Sequence, residues 1–149
     1  LMGQQLKPKR GDEFGESGPP TMIRVHRDNI ARRFTEPANA WASVTPVILP
    51  GHNDRNPGKT RRLIEKALAQ SGVGQPCEFE WSPFSHFRKS FSAHKDDKDK
   101  RIGYIRPDHL PTQTAVHLTL KLNDGTKMAG PVAIGAGRHC GLGIFAGAD

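Results

Sequence analysis

Seven residues, Val116-His-Leu-Thr-Leu-Lys-Leu122, alternate without a break between apolar and polar side chains. A strand repeats every two residues, so this pattern puts Val116, Leu118, Leu120 and Leu122 on a core face. His117, Thr119 and Lys121 then face the other way. A strand buried on one face belongs to an antiparallel sheet, and that sheet needs an apolar cover. Asn123-Asp124-Gly125 follows at once and predicts a hairpin turn, with a return strand from Met128 to Ile134.

The cover is legible upstream. Asn56 is placed to cap a helix whose first position is Pro57, and Gly72 is placed to end it. Leu63, Ile64, Ala67 and Leu68 fall on one face at helical spacing. Before this helix, Trp41 to Leu49 reads as a strand. Pro46 cannot donate to a ladder, so that strand lies at an edge or carries a bulge. Pro50 to Asp54 is a loop holding His52. Cys77 to Trp81 alternates as a further strand, and Leu142 to Ala146 reads as a short final one.

The expected fold is α+β: a ferredoxin-like antiparallel sheet with helices on one face and the other face open for RNA. A second helix is a candidate near 84–92. Residues 41–149 form the domain. Residues 1–40 read as a flexible basic linker or the remnant of a preceding domain, with Met22 to Val25 as a candidate short strand. The chain begins with Leu and reads as a piece of a longer protein. Lys95 to Arg101 is almost entirely charged and reads as a mobile loop.

Charge narrows the choice of partner. Lys and Arg number 22 against 15 Asp and Glu, a formal charge of +7. That excess favours a polyanion, with nucleic acid ahead of a membrane surface. No apolar run reaches the ~20 residues that a membrane span needs. Two cysteines, Cys77 and Cys140, make neither a disulfide framework nor a zinc site, which points to a reducing, cytoplasmic setting.

Near the end runs Gly130-Pro-Val-Ala-Ile-Gly-Ala-Gly-Arg-His-Cys-Gly-Leu-Gly-Ile-Phe145. A phosphate-binding loop would need Lys and Ser or Thr after its last glycine, and Leu142 and Gly143 stand there. A dinucleotide fingerprint starting at Gly135 and Gly137 would reach Cys140 where it needs glycine, and it opens no helix. Both cofactor readings fail, and no cofactor or metal is expected. Gly135, Gly137, Gly141 and Gly143 still let the backbone turn through positive φ and approach a ligand closely. Arg138 and His139 sit among them, within reach of a phosphate or a base. The plainer reading is a tight turn whose glycines solve a packing problem.

The blocks "WASVTPVILPGHNDRNPGKTRRLIEKAL" and "HLTLKL…GPVAIGAGRHCGLGIF" together resemble a CRISPR-associated family. It is the fusion of a backbone subunit with a repeat-RNA-processing endoribonuclease in type I-U (I-G) systems. Both halves of that fusion belong to the RAMP superfamily, with ferredoxin-like folds and a C-terminal glycine-rich loop. The resemblance covers roughly residues 41–149, the endoribonuclease portion. It implies cleavage of precursor CRISPR RNA at the repeat hairpin, without metal, by attack of a 2′-hydroxyl on the neighbouring phosphate. It also implies that the protein keeps the mature RNA and joins other subunits of a type I effector complex.

Such chemistry needs a base near the 2′-hydroxyl, an acid near the departing oxygen, and positive charge on the phosphate. Histidine suits the first two roles. His52, between a strand and a helix, holds a place like that of catalytic histidines in the resembled family. The alternative is a solvated loop residue. His117 is the second candidate, beside Thr119 and Lys121 on the face that would meet RNA; the alternative is a plain polar position. His139 would contact RNA. His86 and His94 lie among Phe84, Phe87 and Phe91, rings that suit either base stacking or the core. His26 and His109 have no supporting context. Tyr104, the only tyrosine, sits among basic residues and suits a phosphate contact or a packing role. Lys59, Arg61 and Arg62 crowd the first turns of the helix, where the dipole disfavours cations; an outside anion such as RNA phosphate would relieve them. Two other readings stay open: a non-catalytic RNA-binding subunit of the effector complex, and a basic RNA-binding domain unrelated to CRISPR.

Overall fold

The computed structural model describes residues 28–74, 77–94 and 103–148. The candidate strand Met22 to Val25, His26 and the charged loop Lys95 to Arg101 lie outside the described residues.

Alternation along the chain becomes a five-stranded antiparallel open sheet. Its centre is β4 (Ala115–Leu122), whose Val116, Leu118, Leu120 and Leu122 are buried. One edge of β4 pairs with β3 (Cys77–Ser82), from Cys77↔Leu122 to Ser82↔His117. Its other edge pairs first with β1 (Ala40–Ser43) and then with β2 (Val47–Ile48). β5 (Phe145–Gly147) runs antiparallel to β1 on the outside.

The strand expected over 41–49 is interrupted. Between Ala42↔Thr119 and Val47↔Val116, five residue steps on this chain oppose three on β4. The excess is a bulge at Val44-Thr45-Pro46, and Pro46 is buried inside it. A proline without an N–H is accommodated at a bulge, where no ladder bond is asked of it.

The cover is α2 (Pro57–Gln70), with Asn56 Oδ1 accepting from the Lys59 amide as its N-cap. Its Ile64, Ala67 and Leu68 pack on Trp41, Val116, Leu118 and Leu120. Each such large apolar side chain contributes about 1.5–3 kcal/mol by leaving water. Phe79 and Trp81 of β3 extend the same core, while Glu78 and Glu80 alternate outward.

A second helix does form, but elsewhere than expected. It is α1 (Asn29–Thr35), inside the segment read as linker, and it packs on β5. Asp28 caps it by accepting from the amides of Ile30 and Ala31. Residues 84–92 form turns rather than a helix. The hairpin expected at Asn123 to Gly125 is a 3₁₀ turn, and the return strand reduces to two isolated bridges, Ala38↔Met128 and Ala133↔Ile144. No helix among the described residues is long and apolar enough to cross a membrane.

The second face of the sheet is not open beside β2. There Ile48, Leu110 and Leu142 form a small separate core with Tyr104 and Ala115. Irregular chain from residues 83–93 and 103–110 lies over that face and changes the setting of the histidine on β4.

Candidate active site

His52 follows β2 in a loop stitched to the chain that enters β4. Leu49 donates to the Thr114 carbonyl at 2.8 Å, and Thr114 donates to the Gly51 carbonyl at 3.1 Å. The Asn53 amide donates to Thr114 Oγ1 at 2.9 Å, and Asn53 Nδ2 donates to the buried Thr60 Oγ1 of α2 at 2.9 Å. Four backbone and side-chain bonds therefore tie strand, loop and helix start together.

In this frame His52 Nδ1 lies 2.9 Å from the Thr112 carbonyl. A carbonyl only accepts, so Nδ1 carries the proton and the neutral ring keeps its lone pair on Nε2. That nitrogen belongs to an exposed ring and lies 3.7 Å from Asp54 Oδ1, beyond a hydrogen bond. A protonated ring would find a carboxylate waiting. Lys59 bonds to the other Asp54 oxygen and holds that carboxyl below the usual carboxylate range, with His52 adding to the effect. Asp54 and Arg55 stand at φ 51° and 58°, a region non-glycine residues seldom occupy, so the turn carrying the carboxylate is strained.

His52 opens onto a cleft of about 370 Å³ between α2, β3 and the start of β4. His94 and Arg106 line it from the irregular chain, with Thr60, Trp81 and Gln113. Arg106 bonds to the Gln113 carbonyl, and burial pulls its pKa down from the ordinary guanidinium value. It remains a cation, only partly hydrated. Gln113 Oε1 is buried in the cleft wall without a partner among the described residues. An acceptor left unpaired costs free energy. The cleft thus holds two imidazoles and one partly desolvated cation. His94 and Arg106 were not singled out for this site from sequence, because they come from segments without periodicity. Both reach the cleft only through the fold.

His117 corrects an expectation. It is 3% exposed rather than on a free face. Its Nε2 donates to the Phe91 carbonyl at 2.9 Å, and its Nδ1 lies 3.0 Å from Ser43 Oγ. Burial lowers its pKa, partly offset by backbone bonds to Phe91 and Ser43. Both ring nitrogens are engaged, so His117 fastens the irregular cover to the sheet and is withdrawn from the reactive candidates. Tyr104 likewise packs, donating to the Val44 carbonyl at 3.0 Å.

Lys59, Arg61 and Arg62, the cations in the first turns of α2, have partners inside the molecule. Lys59 pairs with Asp54. Arg61 pairs with Glu65 at 3.3 Å and lies over the Phe79 ring at 5.1 Å. Arg62 Nε donates to the Gly58 carbonyl at 3.4 Å. The unfavourable position on the dipole is therefore relieved locally. Lys121 is exposed at the far end of β4 from the cleft.

The glycine run is pinned to β2 and its bulge. Ala136 donates to the Ile48 carbonyl and Gly143 to the Pro46 carbonyl, each at 2.8 Å. At Gly143, φ is 67° and a Cβ would stand 1.9 Å from the Ile134 carbonyl oxygen. At Gly135, φ is 98° and a Cβ would meet the Ile48 carbonyl at 2.6 Å. These two glycines answer to packing. Gly137 is buried as well. Arg138 turns back on the loop, with Nη1 donating to the Gly135 carbonyl at 3.1 Å. Only His139, Cys140 and Gly141 are exposed at its tip.

Among the described residues, no three His, Cys, Asp or Glu side chains gather into a group that could hold a metal ion. No family model, no curated protein and no solved structure matches the chain.

Proposed function

We propose that this chain is a metal-independent endoribonuclease of the RAMP superfamily. In this reading it cleaves precursor CRISPR RNA at the repeat hairpin and stays with the product in a type I effector complex in the cytoplasm. The strand order supports a ferredoxin-like fold. Reading across the sheet gives β3, β4, the β1/β2 strand and β5, and α2 crosses between β2 and β3. The second helix of such a fold is replaced by the glycine-rich connection.

The observation that carries the reading is the bond from His52 Nδ1 to the Thr112 carbonyl, which leaves Nε2 basic at the mouth of the cleft. Nε2 takes the proton of the 2′-hydroxyl as O2′ bonds to phosphorus. The bond from phosphorus to the 5′-oxygen breaks, and that oxygen leaves with a proton supplied by protonated His94. The products are a 2′,3′-cyclic phosphate and a 5′-hydroxyl. Arg106, partly stripped of water, stabilises the charge gathering on the phosphate oxygens. Asp54 steadies the imidazolium that forms on His52. A base or acid so placed contributes ~10²–10⁴-fold in rate.

Single-turnover cleavage of a repeat hairpin in EDTA tests this. His52→Ala is expected to lose cleavage and keep the RNA, and a 2′-deoxy substitution at the scissile nucleotide is expected to block cutting in the same way. Undiminished cleavage by His52→Ala would overturn the assignment. Tight hairpin binding with no cutting by the unaltered chain would leave the non-catalytic subunit as the reading.

A further inference from the structure

A groove of about 370 Å³ lies apart from the cleft, where α1, the end of β5 and the turns of residues 86–89 meet. It is lined by Arg33, His86, Phe87, Arg88 and Lys89, with Gly147 and Ala148. No carboxylate among the described residues lines it. Among the described residues, no acid lies within ion-pair distance of Arg33, Arg88 or Lys89, whereas Arg32, Lys59 and Arg61 are all paired. Three cations around one concavity repel one another, and a polyanion would relieve that repulsion.

Aromatic groups accompany the cations. The His86 ring meets Phe87 edge-on, with centroids 5.3 Å apart. Phe84, two residues earlier, is 68% exposed, and Phe91, two residues later than Lys89, is 53% exposed. The core expected of these rings therefore includes neither Phe84 nor Phe91. Flat rings interleaved with basic side chains suit a strand of unpaired nucleotides: phosphates meet the cations and bases stack on the rings. An acidic peptide would use the cations but would gain nothing from the rings.

We propose that this groove, together with the exposed Phe84 two residues before its His86, is a second contact surface that binds single-stranded RNA outside the reactive cleft. The proposal rests on reading the chain as an RNA-binding protein, and it does not need the chain to cleave. Arg33, Arg88 and Lys89 take successive phosphates. Phe84 takes a base.

The test measures binding of a labelled oligouridine of about a dozen nucleotides by the full chain, across a salt titration. Arg88→Glu with Lys89→Glu is expected to weaken binding by tenfold or more and to lower the salt slope by about two units. Phe84→Ala is expected to weaken it by about tenfold with the slope unchanged, because a stacked base carries no counterion. Circular dichroism confirms that each variant is folded, and all three substitutions are at exposed positions. Unaltered affinity and slope in the charge-reversed variant would overturn the proposal. Equal competition by oligoglutamate, with Phe84→Ala silent, would overturn it in favour of an acidic protein partner. The two proposals fail separately. A chain that cuts nothing yet loses oligouridine through these substitutions keeps the groove and loses the nuclease. A chain that cuts in EDTA and binds oligouridine normally after charge reversal does the opposite.

Discussion

The Ser43 hydroxyl at the end of β1 and the His117 imidazole of β4 meet 3.0 Å apart, both buried beside the bulge. Ser43 Oγ also accepts from the Leu118 amide at 2.9 Å, and His117 Nε2 donates onward to Phe91. With the proton on Nε2, the amide donates to the hydroxyl, the hydroxyl to Nδ1, and Nε2 to the Phe91 carbonyl. The longer approach of Nδ1 to the Ser43 carbonyl at 3.2 Å then carries no proton. Ser85 Oγ adds a donor to the Ser43 carbonyl at 3.0 Å. The relay holds the irregular cover against the sheet.

Ser43→Ala leaves the Leu118 amide and His117 Nδ1 buried without their shared partner. It is expected to cost about 1–3 kcal/mol. Urea unfolding checks this through a lower midpoint at unchanged slope. An unmoved midpoint would mean that the relay contributes nothing to stability.

Acid should loosen the same link. Burial pushes the His117 pKa below its ordinary 6.5, so the unfolded chain binds a proton that the folded chain refuses. Stability then falls as pH drops below about 6.5, by up to ~1.4 kcal/mol per unit, until the folded-state value is reached. The Asp54 carboxyl, held low by Lys59, loses its contribution only in far stronger acid. Thermal unfolding between pH 7 and 5 is expected to show a falling midpoint, and His117→Gln is expected to flatten it. An equal slope in that variant would place the proton elsewhere.

Two glycines of one loop should respond unequally. Gly143→Ala places a methyl into the Ile134 carbonyl at positive φ and is expected to cost several kcal/mol, on the order of 3 or more. Gly141 has φ 76° but nothing within 4 Å of an added Cβ. Its alanine variant bears only the left-handed backbone penalty, about 1–2 kcal/mol. Melting temperatures of the two variants decide, and equal shifts would contradict the packing account.

His94 can be separated from His52 by its leaving group. His94→Ala is expected to slow cleavage by ~10²–10⁴-fold. An RNA with sulfur in place of the bridging 5′-oxygen needs no proton to leave, so it should restore the rate in that variant but not in His52→Ala. Failure of the sulfur substrate to rescue would remove His94 as the acid.

Local pattern determined much of this molecule. The alternation of residues 116–122, the Asn56 cap, the apolar stripe through Leu68 and the alternation from Cys77 are properties of single elements, and they read directly as β4, α2 and β3. Pro46 left either an edge strand or a bulge, and the fold decided for the bulge. α1 had a signal in Asp28 followed by Ile30 and Phe34, but it is short and draws its stability from β5. Tertiary structure decided the rest. His117 stands where strand periodicity puts it, yet it is buried, because chain with no periodicity of its own closes over that face. His94 and Arg106 join His52 for the same reason. Periodicity says which way a side chain points from its own backbone. What it meets there depends on contacts between residues far apart in sequence, and only the packed fold supplies those.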